Sequence, residues 1–166
     1  MNSKIIIVDE NDQVIGHKDR DALFQEDIYR VSVLWVINSQ GDVLLAQRAL
    51  TKSHDPGKWG PAVAGTLEEG EDYLTNIYKE AKEELGLKDF TAQILSKERV
   101  AGEYNYFVQR YLAIVDKPEK DFTVNQDEVA EIKWFKKEEL RQKLQEDPNQ
   151  FLKTTKKWLE VLINSN

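Results

Sequence analysis

Short apolar runs broken by polar turns dominate most of this chain. Lys4 to Val8 and Gln13 to His17 flank Asp9-Glu10-Asn11-Asp12, which predicts an opening β-hairpin. Val31 to Asn38 and Val43 to Arg48 flank Ser39-Gln40-Gly41-Asp42, a second hairpin signal. Within the first of these, SVLWVI is apolar without alternation, as a central strand covered on both faces would be. TKSHDPGK then reads as a loop. Further strands are expected at Thr91 to Val100, at Tyr104 to Val115 after a break near Gly102, and at Glu128 to Phe135. In the tail, Phe151, Thr155, Trp158, Leu159 and Leu162 recur at helical intervals, so one face of a terminal helix should pack on the domain. Strands on either side of a central helix, with a second helix at the end, give an α/β or α+β sandwich.

The central helix lies in GTLEEGEDYLTNIYKEAKEELGL, Gly65 to Leu87. Gly65 and Gly70 mark a loop that needs unusual dihedrals or close backbone approach, and Asp72 is a ready N-cap. Thr75 to Leu85 carries good helix formers with Ile77, Ala81 and Leu85 on one side, and Gly86 supplies the stop. Glu80, Glu83 and Glu84 then crowd one side of a helical turn. Like charges at that spacing repel by roughly 0.2–0.5 kcal/mol per pair, and a bound divalent cation removes the penalty. Ligands that offer only oxygen suit Mg2+ or Mn2+, and Mg2+ completes its shell with water and substrate phosphate.

This stretch resembles the Nudix hydrolase family, whose box runs Gly, five residues, Glu, seven residues, then Arg-Glu-apolar-any-Glu-Glu-any-Gly-apolar. Gly65, Glu71, Glu80, Ala81, Glu83, Glu84, Gly86 and Leu87 all match. Lys79 stands where the family has arginine, which keeps the charge and gives up the two-pronged grip of a guanidinium on a carboxylate. The resemblance implies one Nudix hydrolase domain over residues 1–166, an α/β/α sandwich with a mixed central sheet, an N-terminal β-hairpin and a C-terminal helix. It implies metal binding by Gly65, Glu80, Glu83 and Glu84, with Glu80 or Glu83 as general base and Glu71, Lys79 and Gly86 ordering the box.

IIIVDENDQVIG, then LLAQRALTKSHDPGKWGPAVAG ahead of the box, look like the isopentenyl-diphosphate-isomerase-like branch of the same family. Isomerases of that branch use a cysteine and a histidine at the positions of Ala64 and Thr66, and two glutamates at those of Glu103 and Asn105. Only Glu103 is kept, so the expected activity is metal-dependent hydrolysis of a nucleoside-diphosphate-like or related organic diphosphate by water attack on phosphorus. An isomerase-like enzyme and a non-catalytic nucleotide-diphosphate-binding module stand as alternatives. By the same resemblance Glu128 and Glu103 are candidate further metal ligands, and Arg48 and Lys52 candidate phosphate contacts.

Composition narrows the partners. A length of 166 residues with 40% hydrophobic content suits one domain with a sizeable core. A formal charge of −7 argues against a duplex nucleic-acid footprint and leaves small anionic diphosphates to a metal-dressed site. There is no apolar run of membrane-spanning length and no signal-peptide pattern, so a cytoplasmic protein without a membrane partner is expected, and a homodimer stays open. The chain contains no cysteine, which removes disulfides, zinc thiolates and thiol nucleophiles. His17 and His54 are too few and too far apart for an imidazole cage. Trp59 reads as a core residue, and Tyr104 and Tyr106 as strand neighbours that pack the sheet.

Overall fold

The computed structural model describes residues 3–165. In chain order they form β1 (Ile5–Val8), β2 (Val14–Lys18), β3 (Ile28–Ile37), β4 (Val43–Arg48), β5 (Trp59–Pro61), β6 (Val63–Thr66), α1 (Tyr73–Leu85), β7 (Gln93–Val100), β8 (Tyr106–Ile114), β9 (Val129–Phe135), α2 (Lys137–Glu146) and α3 (Lys153–Asn164). All these strands join one mixed sheet with β3 as its hub. β3 runs parallel to β8 from Tyr29 opposite Tyr106 to Ile37 opposite Ile114. At successive points along its length it pairs antiparallel with β1, β6 and β4.

The apolar run in β3 has the two-sided burial that its sequence predicts. Leu34 and Val36 pack with Leu44 and Ala46 of β4 and with Ile77, Ala81 and Leu85 of α1. Trp35, one residue out of phase, faces the other way with Val43, Leu45, Leu140 of α2 and Phe151, Trp158 and Leu159 in and beside α3. Period-two alternation therefore sends successive residues into two separate cores, and helices close both faces. Leu34 is fully enclosed, so truncating it to alanine is expected to cost about 2–5 kcal/mol.

Local signals set the ends of α1. The Asp72 side chain accepts from the Thr75 N–H at 2.7 Å while the Thr75 hydroxyl meets the Asp72 backbone N–H at 2.9 Å, a reciprocal capping box. Gly86 takes the left-handed conformation, φ 62°, and ends the helix.

The opening hairpin is tied down more firmly than its polar turn suggests. Asp12 is buried with a positive φ of 58°. Its carboxylate accepts from Arg30 Nε at 2.7 Å, from the Tyr73 hydroxyl and from the Lys97 ammonium. One side chain thus joins the hairpin to β3, α1 and β7.

Several boundaries differ from expectation. β3 starts at Ile28, three residues before the apolar run, and β8 starts at Tyr106. β5 and β6 are short, interrupted by Pro61 and Gly65, and carry no periodic signal. α2 buries only Leu140, which leaves no apolar stripe to read. Among the described residues, no helix is long and apolar enough to cross a membrane.

Candidate active site

β6 delivers the chain to the foot of α1, and Gly65 sits directly against Glu80. A Cβ at position 65 would lie 2.6 Å from Glu80 Cδ and 2.8 Å from Oε1, so any larger residue displaces that carboxylate. Glu71 is held from three sides. One carboxylate oxygen accepts from the Glu68 N–H at 2.9 Å and from Asn76 Nδ2 at 2.8 Å, and the other from the Lys79 ammonium at 2.6 Å. Burial alone would raise the Glu71 pKa, and these donors hold it below the ordinary value. The Lys79 ammonium also reaches Glu68 at 3.0 Å and passes 3.9 Å from Glu80. Burial works against its charge, and Glu71 and Glu68 outweigh it and raise the pKa.

Glu80 and Glu84 have weaker company: Asn76 Nδ2 donates to Glu80 at 3.4 Å, Lys79 stays 3.9 Å away, and Glu84 accepts from the Ala64 N–H. Burial pushes Glu80 up to about 7; Lys79 offsets part of this, and repulsion from Glu83, Glu71 and Glu68 adds to it. Glu84 is pushed up to about 8, first by burial, then by Glu80 and Glu128, with the Ala64 N–H and Lys52 pulling weakly the other way. Two carboxylates withdrawn from water beside one another favour a proton or a cation.

Next to them lies a groove of about 90 Å³ that Glu84 shares with Glu128, Arg48, Gln47 and Ala64. Arg48 is tethered through Nε to the His54 carbonyl at 2.9 Å. Lys52 forms an ion pair with Glu128 on the groove's rim. This donor set is all oxygen and suits a hard divalent cation that keeps waters and shares phosphate oxygens. Among the described residues, no three carboxylate or imidazole side chains close into a ready-made cage. Glu83 in particular is exposed, so the helix turn offers a pair and an outlier rather than three converging ligands.

The structure brings together Gly65, Glu71, Lys79, Glu80 and Glu84, with Arg48 and Glu128 on the adjoining groove and Lys52 paired to Glu128. Glu103, by contrast, lies exposed in the β7–β8 connection and is not among the residues that line the groove. In the same connection, Asn105 Nδ2 donates to the Gln25 carbonyl at 2.8 Å. Tyr104 is outside β8, so it shares no strand face with Tyr106 and instead meets the edge of the His54 ring at 5.9 Å. Trp59 packs edge-on against Phe135 at 5.1 Å, as a core residue should.

One feature escaped the sequence reading. A cavity of about 140 Å³ opens between the sheet and α3, lined by Trp35, Tyr106, Val108, Arg110, Thr155 and Trp158 among others. Trp35 Nε1, Arg110 Nη1, Thr155 Oγ1 and Trp158 Nε1 are buried without hydrogen-bond partners. The available signal was Arg110, an arginine in the middle of the apolar strand YFVQRYLAI.

A mixed sheet with helices on both faces, and a glycine-led loop feeding a carboxylate-bearing helix, define a Nudix-type pyrophosphohydrolase. The NUDIX domain model matches residues 28–155, and the chain belongs to that family, in its isopentenyl-diphosphate-isomerase-like branch. It is 26% identical over 174 residues to an isopentenyl-diphosphate Delta-isomerase 2 of Photorhabdus laumondii, covering 99% of this chain and 92% of the relative. It is 34% identical over 83 residues to an uncharacterised Nudix hydrolase of Pseudomonas aeruginosa, covering 49% of each. The crystal structure of DR0079 from Deinococcus radiodurans has the same fold, with a TM-score of 0.74 at 24% identity over 87% of this chain and 90% of that one.

Proposed function

We propose that this protein hydrolyses the diphosphate linkage of a small organic diphosphate, nucleoside-diphosphate-like or related, in the cytoplasm and with Mg2+ or Mn2+ bound. The observation that carries the reading is the pair Glu80 and Glu84, half-buried, mutually repelling and only weakly compensated, with Lys79 no nearer than 3.9 Å to Glu80, beside a groove that holds Arg48. Glu80 and Glu84, with the Gly65 carbonyl, would hold the ion, and Glu83 and Glu128 are near enough in the chain and on the groove to add a water-mediated contact. When bound, the ion offsets charge on the diphosphate oxygens and lowers the pKa of a coordinated water.

The chain's own residues supply the rest. Arg48, which lines the groove with its Nε held by the His54 carbonyl, grips the non-reacting phosphate through its remaining guanidinium N–H groups. Lys52 adds positive charge at the rim when a phosphate competes with Glu128 for it. Glu80 takes a proton from the attacking water as a new P–O bond forms, the bridging P–O bond breaks, and the departing phosphate leaves with the bridging oxygen. A positioned base of this kind contributes about 10²–10⁴-fold.

The names of several relatives favour a second reading, isomerisation of a prenyl diphosphate. Against it, Ala64 and Thr66 carry neither thiol nor imidazole, and the Asn105 amide is committed to the Gln25 carbonyl. A panel of nucleoside, sugar and prenyl diphosphates with Mg2+ or Mn2+, scored for monophosphate release with Glu84→Gln as control, decides between them. Monophosphate release that vanishes in the variant is expected. Double-bond migration without phosphate release would overturn hydrolysis.

A further inference from the structure

Among the described residues, Ser32 of β3 and Asn76 of α1 are the polar side chains with 0% exposure. Burying a hydroxyl and an amide is costly unless their donors and acceptors are met. Here they are met by one another and by the box. The Ser32 hydroxyl donates to Asn76 Oδ1, and Asn76 Nδ2 donates to Glu71 Oε2 at 2.8 Å and, over 3.4 Å, to Glu80 Oε1 and the Thr66 carbonyl. One amide thus spans two carboxylates, Glu71 ahead of the helix and Glu80 one turn further along it. The opposite rotation would press the amide oxygen against both, so these neighbours fix which way it points, and Ser32 supplies the donor that the oxygen then needs.

The two ends of this bridge are unequal. Glu71 is held by the Glu68 N–H and Lys79 as well as by Asn76. Glu80 receives longer contacts, and Asn76 at 3.4 Å and Lys79 at 3.9 Å approach the same oxygen, Oε1. That oxygen also lies against Gly65, where a Cβ would come within 2.8 Å of it. We infer that Asn76, steadied by Ser32, is a positioning residue for Glu80: it carries the fixed orientation of Glu71 across to the second carboxylate, keeps Oε1 turned inward and presents Oε2 to the ion. This deepens the hydrolase reading and rests on it for the role of Glu80. A glutamate already held by one oxygen loses less rotamer freedom when a cation arrives. Groups that orient a metal ligand in this way change affinity or activity by about 10–100-fold when removed.

The competing account is that Ser32 and Asn76 only satisfy each other between β3 and α1. The double variant Ser32→Ala with Asn76→Leu separates the two, because replacing both members of a buried hydrogen-bonded pair by apolar groups is close to neutral for stability. Glu71 keeps the Glu68 N–H and Lys79 in that variant. The metal-free full chain should melt within about 4 °C of the parent. Calorimetric titration with Mn2+ alone should show affinity about 10–100-fold weaker. At saturating Mn2+, kcat for the nucleoside, sugar or prenyl diphosphate that the parent cleaves should fall while KM holds, since Arg48 is tethered elsewhere, to the His54 carbonyl. Ser32→Ala alone deletes a single oxygen, should weaken Mn2+ in the same direction by a smaller factor, and decides the matter if the double variant unfolds. Parental Mn2+ affinity and kcat in a folded double variant, a rise confined to KM, or parental affinity in Ser32→Ala when the double variant unfolds would overturn the assignment. Mn2+ binding that weakens as expected, in a parent that cleaves no diphosphate, would sink the hydrolase reading alone. A parent that takes up no Mn2+ would sink both.

Discussion

Asp12 is withdrawn from solvent with a guanidinium, an ammonium and a phenol hydroxyl on its oxygens, whereas Glu84 is withdrawn beside Glu80 and Glu128, with Lys52 already engaged by Glu128. Both positions deny water to a carboxylate. In the first, the cations outweigh burial and hold the pKa below the ordinary value; in the second, burial and repulsion push it to about 8. The paired carboxylate fastens a hairpin to three other elements. The other two are under-compensated, by Lys79 at 3.9 Å from Glu80 and by the Ala64 N–H and Lys52 at Glu84. Burial alone says little about function; burial without compensation says a good deal.

The sharpest way to break this contrast is to neutralise each side separately. Glu84→Gln is expected to lower kcat for diphosphate cleavage by about 10²–10⁴-fold and to raise the melting temperature of the metal-free protein at pH 8, because it removes an uncompensated charge. Steady-state kinetics and calorimetry on the same sample check both halves. Undiminished kcat, or a lower melting temperature without metal, contradicts the assignment.

Asp12→Asn should do the reverse. It strands Arg30 and Lys97 around a neutral amide, and breaking a buried pair costs about 3–5 kcal/mol, which for a chain of this size corresponds to a fall in melting temperature of roughly 6–20 °C. Activity at 20 °C should stay near that of the parent, because Asp12 lines neither the groove nor the cavity under α3.

pH separates the two regions by sign. Asp12 has a depressed folded-state pKa, so its stabilising contribution is present above the unfolded value and disappears as pH falls through the folded value, below about 4. Glu80 and Glu84 have raised folded-state pKa values, so their contribution is complete below the unfolded value near 4.5 and is lost as pH rises through about 7 and 8. Lys79 and Lys52 face this pair and soften the loss; Glu83 and Glu128 steepen it. The metal-free protein should therefore lose stability from pH 5 to pH 8, and Mg2+ or Mn2+ at 100 times its dissociation constant should return about 2.7 kcal/mol at the upper end. Denaturant titrations across that range, with and without metal, check it. A flat metal-free profile, or an equal metal gain in Glu84→Gln, would defeat the account.

The same contrast shows what the sequence could disclose. The ends of α1 are legible because their causes are local: Asp72 with Thr75 at one end, Gly86 at the other, and Ile77, Ala81 and Leu85 in helical phase between them. The two-sided burial of β3 is legible because Val33 to Ile37 has no polar position to turn outward. The box carboxylates on α1 are legible as a group, but which of them are sunk and which exposed depends on the packing of α1 against Gly65 and Ala64 of β6. α2 escapes because Leu140 is its single buried residue, and β5 and β6 because Pro61 and Gly65 interrupt runs of three or four. Glu103 is legible only through the resemblance, which fixes neither the course of the β7–β8 connection nor its exposure. The cavity under α3 left one trace in the sequence, Arg110 in an apolar strand, since Trp35, Arg110, Thr155 and Trp158 come from β3, β8 and α3 and meet only after folding.

Lys79 offers the smallest and most discriminating perturbation. On sequence grounds a lysine there weakens the orientation of its partner carboxylate, because one ammonium cannot make two parallel hydrogen bonds to it. In the folded protein that orientation has other guarantors: the Glu68 N–H and the Asn76 amide both hold the oxygen of Glu71 that Lys79 does not. The ammonium instead bridges Glu71 and Glu68, at 2.6 and 3.0 Å, a task that suits a compact point charge. Lys79→Arg should then leave kcat and the melting temperature of the metal-free protein nearly unchanged, within about threefold and 2 °C, which corresponds to less than about 1 kcal/mol. Lys79→Met should cost more in both, because it deprives two half-buried carboxylates of their cation and places more negative charge beside Glu80. If arginine instead raises kcat tenfold, the fork geometry governs the box and the backbone and amide donors around Glu71 are too weak to stand in for it.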